Sequence, residues 1–156
     1  MGKIIAWHGS AELKAEVLAR LQAHREADDF VRGLYQTAST DSPLGYRGCA
    51  LGCTLPLVTG DDRLQGLEAG FWHYEIQRRY GIDIEVAGLI DEIFESLETV
   101  EESAQFAQDV AAAIPVGADL SEIGGRVDLA WDADVAAHEL IAALAAAPVD
   151  PAEVAG

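Results

Sequence analysis

The sequence predicts an all-α protein, a single-domain bundle of about five helices over residues 1–147 followed by a flexible tail at 148–156. Three observations carry this. Apolar residues recur at helical spacing along most of the 156 residues, half of which are hydrophobic. Helix-starting and helix-stopping residues bracket those stretches. Strand-like alternation is confined to residues 3–7, room for one short N-terminal strand. A chain of this length buries roughly 70% of the surface its unfolded form exposes, so it needs no disulfide or metal to fold.

In order along the chain, Ser10 caps a first helix expected over residues 11–34, with Leu13, Val17, Leu21, Phe30, Val31 and Leu34 as its apolar positions. Residues 36–46, rich in Gly, Pro, Ser and Thr, read as a connection. Gly48-Cys49-Ala50-Leu51-Gly52-Cys53-Thr54 follows as a short helical turn or buried bend, ended by Pro56, and residues 59–62 read as loop. A second helix is expected over 67–80, stopped by Gly81. The third, over 83–97, carries the stripe Val86, Leu89, Ile90, Ile93, Phe94 and Leu97. Thr99 with Glu102 forms a capping box for the fourth, which Pro115 ends. Asp119-Leu120-Ser121-Glu122 opens a short turn that Gly124-Gly125 breaks, and the last helix spans 132–147 before Pro148.

Composition excludes several functions. Lys+Arg is 10 against Asp+Glu 27, a net charge of −17, so direct nucleic-acid or membrane binding through the overall field is not expected. Two cysteines, Cys49 and Cys53, do not make a secreted disulfide scaffold. The stretch Met1 to His8 is too soon interrupted for a signal peptide. The apolar run at 140–147 is far shorter than the ~20 residues that span a bilayer. A cytoplasmic protein is the expectation. No glycine-rich phosphate loop, nucleophile elbow or paired-histidine zinc motif is present.

The charge is divided unevenly. Residues 1–80 carry nine Lys/Arg and ten Asp/Glu, whereas residues 81–156 carry seventeen acids and one base, Arg126. Asp91, Glu92, Glu95, Glu98, Glu101, Glu102 and Asp109 follow one another along two adjacent helices without basic neighbours to pair with. Solubility accounts for such a run as a solvated face. The functional alternative is a partner with a basic surface, because spaced carboxylates on rigid helices imitate a phosphate backbone and associate in a salt-sensitive way. No spacing of the calcium-loop type supports metal binding by these carboxylates.

Polar residues also interrupt a core-facing stripe. At 100° per residue from Leu13, His24 and Asp28 fall on the face of Val17, Leu21 and Val31, one turn apart, with Tyr35 after them. Such groups either satisfy each other, Asp28 accepting from His24, or line a cavity. The candidate pocket is His24, Asp28, Tyr35 and His73. A carboxylate behind His24 would fix its tautomer and suit it to acid–base work or metal binding.

Cys49 and Cys53 are three residues apart rather than the two of zinc knuckles, and read first as small buried thiols under a tight bend. Their flanking glycines, Gly48 and Gly52, suggest close backbone packing. Catalysis by either cysteine is not expected. With His24 and His73 they are the candidate metal ligands; the sequence requires no cofactor, and zinc is the ion such donors would take. Phe71-Trp72-His73-Tyr74 crowds aromatic rings together, so Trp72, Tyr74 and Tyr80 either pack in the core or form an interface, including one between two copies of the chain.

Several segments together resemble a family of short, uncharacterised proteins of bacteria and their mobile elements. They are His24-Arg25-Glu26-Ala27-Asp28, Gly33-Leu34-Tyr35, the double Gly-Cys element Gly48 to Thr54, Tyr80-Gly81-Ile82, Leu89-Ile90-Asp91-Glu92-Ile93-Phe94-Glu95, and Pro115-Val116-Gly117-Ala118-Asp119-Leu120-Ser121. The resemblance covers roughly residues 8–121 and brings no established activity with it. This chain departs from the pattern in its acid-rich end and in insertions around 37–46 and 55–67. If the shared motif serves a pocket, the resemblance implies His24, Asp28, Tyr35, Asp91 and Glu95 as its polar residues.

The leading functional expectation is an acidic, non-enzymatic protein-binding module that occupies a basic surface of a partner, such as a nucleic-acid-binding protein, in the manner of a phage or mobile-element inhibitor. The alternative is a small metal- or ligand-binding enzyme, hydrolase-like, built on His24, Asp28, Cys49 and Cys53.

Overall fold

The computed structural model of the chain describes residues 3–57, 69–127 and 132–154. Among them lie six α-helices: α1 (Ala11–Glu26), α2 (Ala50–Thr54), α3 (Ala69–Tyr80), α4 (Ile84–Ser96), α5 (Val100–Ala113) and α6 (Ala133–Ala145). One antiparallel hairpin, β1 (Gln36–Ala38) with β2 (Tyr46–Gly48), pairs Gln36 with Gly48 and Ala38 with Tyr46. The fold is mainly helical, as the periodicity requires. No helix among the described residues is long and apolar enough to cross a membrane.

The helices start where side chains can satisfy their free N–H groups. Ser10 accepts from the Leu13 N–H and Thr99 from Glu102, while Asp83 and Asp132 each accept from the residue two further on. Helix α4 packs against α2, α3, α5 and α6. Its buried side, Val86, Ala87, Ile90, Ile93 and Phe94, shares one core with Leu21, Leu51, Trp72, Ile76, Val110 and Leu140. Fully burying each large apolar side chain is worth about 1.5–3 kcal/mol. That burial fixes the rotation of α4, and so turns its other side, with Asp91, Glu92 and Glu95, outward.

Several expected boundaries are corrected. Helix α1 stops at Glu26, not at residue 34. Ala27 caps it, Asp28 turns into the left-handed region (φ 57), and Asp29 is carried inside. There Asp29 accepts from Ser42 and pairs with Arg47 Nε at 3.0 Å, a tertiary contact that replaces further helical turns. Phe30 then bridges Gly48 instead of riding a helix face. The connection over 36–46 holds β1 and the start of β2, whose three-residue strands are too short to show alternation. In place of an N-terminal strand, Ile5 makes a single bridge to Asp119, followed by a 3-10 turn at Ala6–Gly9.

The segment after α6, expected to be a flexible tail, carries these contacts among the described residues. The Asp119 N–H donates to the Pro148 carbonyl, Ala118 bridges Val149, and Pro151–Glu153 forms a 3-10 turn. The loop expected at 59–62 and the expected helical residues 67–68 lie outside the described residues.

Candidate functional site

The short helix α2 organises the site. A β-carbon on Gly52 would lie 1.5 Å from the Tyr35 carbonyl oxygen, and one on Gly48 would lie 2.1 Å from it. Glycine at both positions therefore lets the chain at Tyr35 cross directly over α2. The crossing is held by the Cys49 N–H donating to Leu34 O (3.0 Å) and by Gln36 Nε2 donating to Gly52 O (2.9 Å).

Tyr35 then stacks flat on Trp72 of α3, ring centroids 5.0 Å apart, and its hydroxyl donates to Asp91 Oδ2 of α4 at 2.5 Å. His73 Nε2, next along α3, meets the same oxygen at 2.9 Å. One turn on along α4, both Glu95 oxygens accept from the Gly33 N–H, at 2.9 and 3.1 Å. Gly33 sits at φ +85, where a side chain is strained.

These contacts frame an open recess of about 460 Å³ lined by Gly33, Leu34, Tyr35, Cys49, His73, Gly88, Asp91, Glu92 and Glu95, a size suited to small ligands. Among the described residues three carboxylates line it and no Lys or Arg does. Arg32, whose charge acts on Glu95, has its guanidinium turned to the carbonyls of Leu97 and Glu98. Cys49, 1% exposed, forms part of the wall. Its Sγ, one Asp91 oxygen and one Glu95 oxygen all lie within 4.8 Å of one another.

Burial pushes the Cys49 thiol up to about 12; Asp91 and Glu95 add to this, against the opposing N–H groups of Gly52 and Leu51. The Glu95 carboxyl is raised by burial and by Asp91, with the Gly33 N–H pulling it down. Burial, then the bond to Asp91, raises the Tyr35 hydroxyl above its ordinary value. A thiol kept protonated beside carboxylates is poorly placed as a nucleophile, which needs an electropositive setting. What the arrangement can do is hold a cation.

Tyr35 and His73 thus meet in one site, but His24 and Asp28 do not join them. His24 is fully buried with its ring edge against Tyr46 and Phe30, and among the described residues neither ring nitrogen has a hydrogen-bond partner. Asp28 is exposed in a separate recess with Arg25 and Glu101. The shared face required α1 to continue past Glu26, and it does not. Cys53 is sealed on the inner side of α2, its Sγ donating to Gly48 O at 3.2 Å. Of the four sequence-predicted metal ligands, Cys49 and His73 line the recess. Asp91 and Glu95, which the charge pattern groups with partner-binding acids, complete the donor set; their i, i+4 spacing is the signal that puts them on one helix face.

The remaining acids lie elsewhere. Glu98 shares a recess with Asp132 and Asp134 at the start of α6, Glu101 shares one with Asp28, and Glu102 is exposed in the first turn of α5. Asp109, two turns along α5, accepts from Gln105 Nε2 at 2.7 Å. Among the aromatics offered as an interface, Trp72 and Tyr80 are core residues and only Tyr74 is exposed. Arg78 and Arg79 both pair with Glu75. Comparison of the chain with family models, with curated proteins and with solved structures finds no match.

Proposed function

We propose that the protein binds a small cation in the recess between α2, α3 and α4, as a binding protein rather than a cysteine nucleophile. The observation that carries this reading is the convergence of Cys49 Sγ and the carboxylates of Asp91 and Glu95 within 4.8 Å, in a recess that no Lys or Arg among the described residues lines. Like charges so close raise each other's free energy, and a bound cation removes that cost. The free thiols of Cys49 and Cys53 suit the reducing cytoplasm.

Thermal melts with spermidine, zinc or magnesium, set against citrate and glucose, test the reading at about 0.15 M salt, where the general field is screened. A cation at 100 times its dissociation constant is expected to add about 2.7 kcal/mol. Asp91→Asn and Glu95→Gln are expected to remove most of that gain, while Glu139→Gln at an exposed position of α6 leaves it unchanged. Equal stabilisation of all the variants, or a preference for the anion, overturns it.

A second reading has its own observation. Acids gather in two recesses near the junction of α4 and α5: Glu98 with Asp132 and Asp134 in one, and Glu101 with Asp28 and Arg25 in the other, while Glu102 is exposed nearby in the first turn of α5. Acids so placed suit engagement of a basic partner surface, and through it inhibition of a nucleic-acid-handling protein. Reversing Glu98, Glu101 and Glu102 to Lys is expected to weaken partner capture and flatten its salt dependence. Capture indifferent to salt contradicts this reading.

A further inference from the structure

We infer that the recess is a transition-metal site that takes one zinc-class divalent ion between Cys49 Sγ, Asp91 and Glu95, with its remaining coordination positions open to the recess. The inference rests on the cation-site reading and narrows the cation. Zinc bonds thiolate at about 2.3 Å and carboxylate at about 2.0–2.2 Å, so tetrahedral donors sit roughly 3.5 Å apart. Donor atoms already within 4.8 Å of one another need to close by only about 1 Å to reach that spacing.

Each donor is also held from behind. Asp91 is oriented through Oδ2 by the Tyr35 hydroxyl and His73 Nε2, which leaves Oδ1 for an ion. Glu95 is oriented by the Gly33 N–H. Cys49 is fixed by its own backbone bond to Leu34 and by the close crossing over α2. Such outer partners are what tune a metal ligand, and here they attach the donors to helices locked in one core.

The chemistry of the donor set selects the ion. Sulfur is a weak hydrogen-bond acceptor, so a thiol between two carboxylates does little for an organic ammonium. It does much for zinc, cobalt or iron, and little for magnesium or calcium, which prefer oxygen alone. Three protein donors with open positions is the arrangement of a site that admits water or a further ligand, as distinct from a closed structural site.

The test uses the whole chain with its thiols kept reduced. Zinc, magnesium and calcium are titrated by calorimetry, and cobalt(II) by absorption. One zinc per chain is expected, in preference to magnesium and calcium, and cobalt is expected to give a sulfur-to-metal charge-transfer band. Cys49→Ser is expected to abolish the band, and Tyr35→Phe, which keeps all three donors, to weaken zinc about 10–100-fold. Should Cys49→Ser fail to fold, Glu95→Gln, at an exposed residue, is expected to weaken zinc in its place. No charge-transfer band, or zinc affinity unchanged by Cys49→Ser and Glu95→Gln, overturns the inference. If spermidine still stabilises the chain through Glu95 in that event, the recess remains a cation site for an amine; if it does not, both readings fall.

Discussion

At the level of single residues, His24 shows what the core tolerates. Neither of its ring nitrogens has a hydrogen-bond partner among the described residues, where Tyr46 and Phe30 pack against the ring, a defect that costs about 1–3 kcal/mol. Burial lowers its pKa from the ordinary 6.5 to about 4, although Asp29 acts in the opposite sense. The native side chain therefore stays unprotonated where the unfolded chain takes up a proton. Its contribution to stability is complete above pH 6.5 and is lost as pH falls towards 4, by roughly 3 kcal/mol. His24→Leu is expected to be more stable at pH 7 and to lose less between pH 6.5 and 4, as read by chemical denaturation. A destabilised variant with the pH dependence intact contradicts this. The burial of His24 was legible from its place among Val17 and Leu21. That Asp29 rather than Asp28 turns inward was not, because it depends on a single left-handed residue where α1 ends.

At the level of elements, the site depends on how closely the chain at Tyr35 can approach α2. Gly52→Ala would put a methyl group 1.5 Å from the Tyr35 carbonyl oxygen. Overpacking of this kind costs typically about 1–3 kcal/mol, and lifting the segment at Tyr35 would part its hydroxyl from Asp91. Gly70→Ala, in the first turn of α3 with no described atom within 4 Å of the added methyl, is expected instead to leave stability unchanged or raise it by up to about 0.5 kcal/mol. Denaturation midpoints check both, and a Gly52→Ala variant as stable as the parent would remove the reason for the double glycine. The paired glycines announced a close approach in the sequence, but not its partner. The partner is reached through a hairpin of three-residue strands that leaves no periodic trace. The long helices were legible because capping residues and apolar stripes are local signals; the end of α1 was hidden because a distant ion pair, Asp29 with Arg47, decides it.

At the level of the whole molecule, composition gives the charge but not its direction. The acids of the second half read as one continuous run, yet the core-set rotation of α4 turns Asp91 and Glu95 towards Tyr35, His73 and Cys49, and leaves Glu98, Glu101 and Glu102 at the junction with α5. One stretch of sequence therefore reaches two places, the recess proposed to hold a cation and the acids at the α4–α5 junction proposed to meet a basic surface. Amide chemical-shift mapping of the isotope-labelled chain, titrated with zinc and separately with spermidine, separates them most directly. The Gly33 N–H, bonded to Glu95, is a built-in reporter. With a cation in the recess, the largest shifts fall on Gly33, Tyr35, Cys49 and residues 91–95, while Glu98, Glu101, Glu102 and Asp109 stay near their free positions. A silent Gly33, with shifts centred on the α4–α5 junction, contradicts the recess as the binding site.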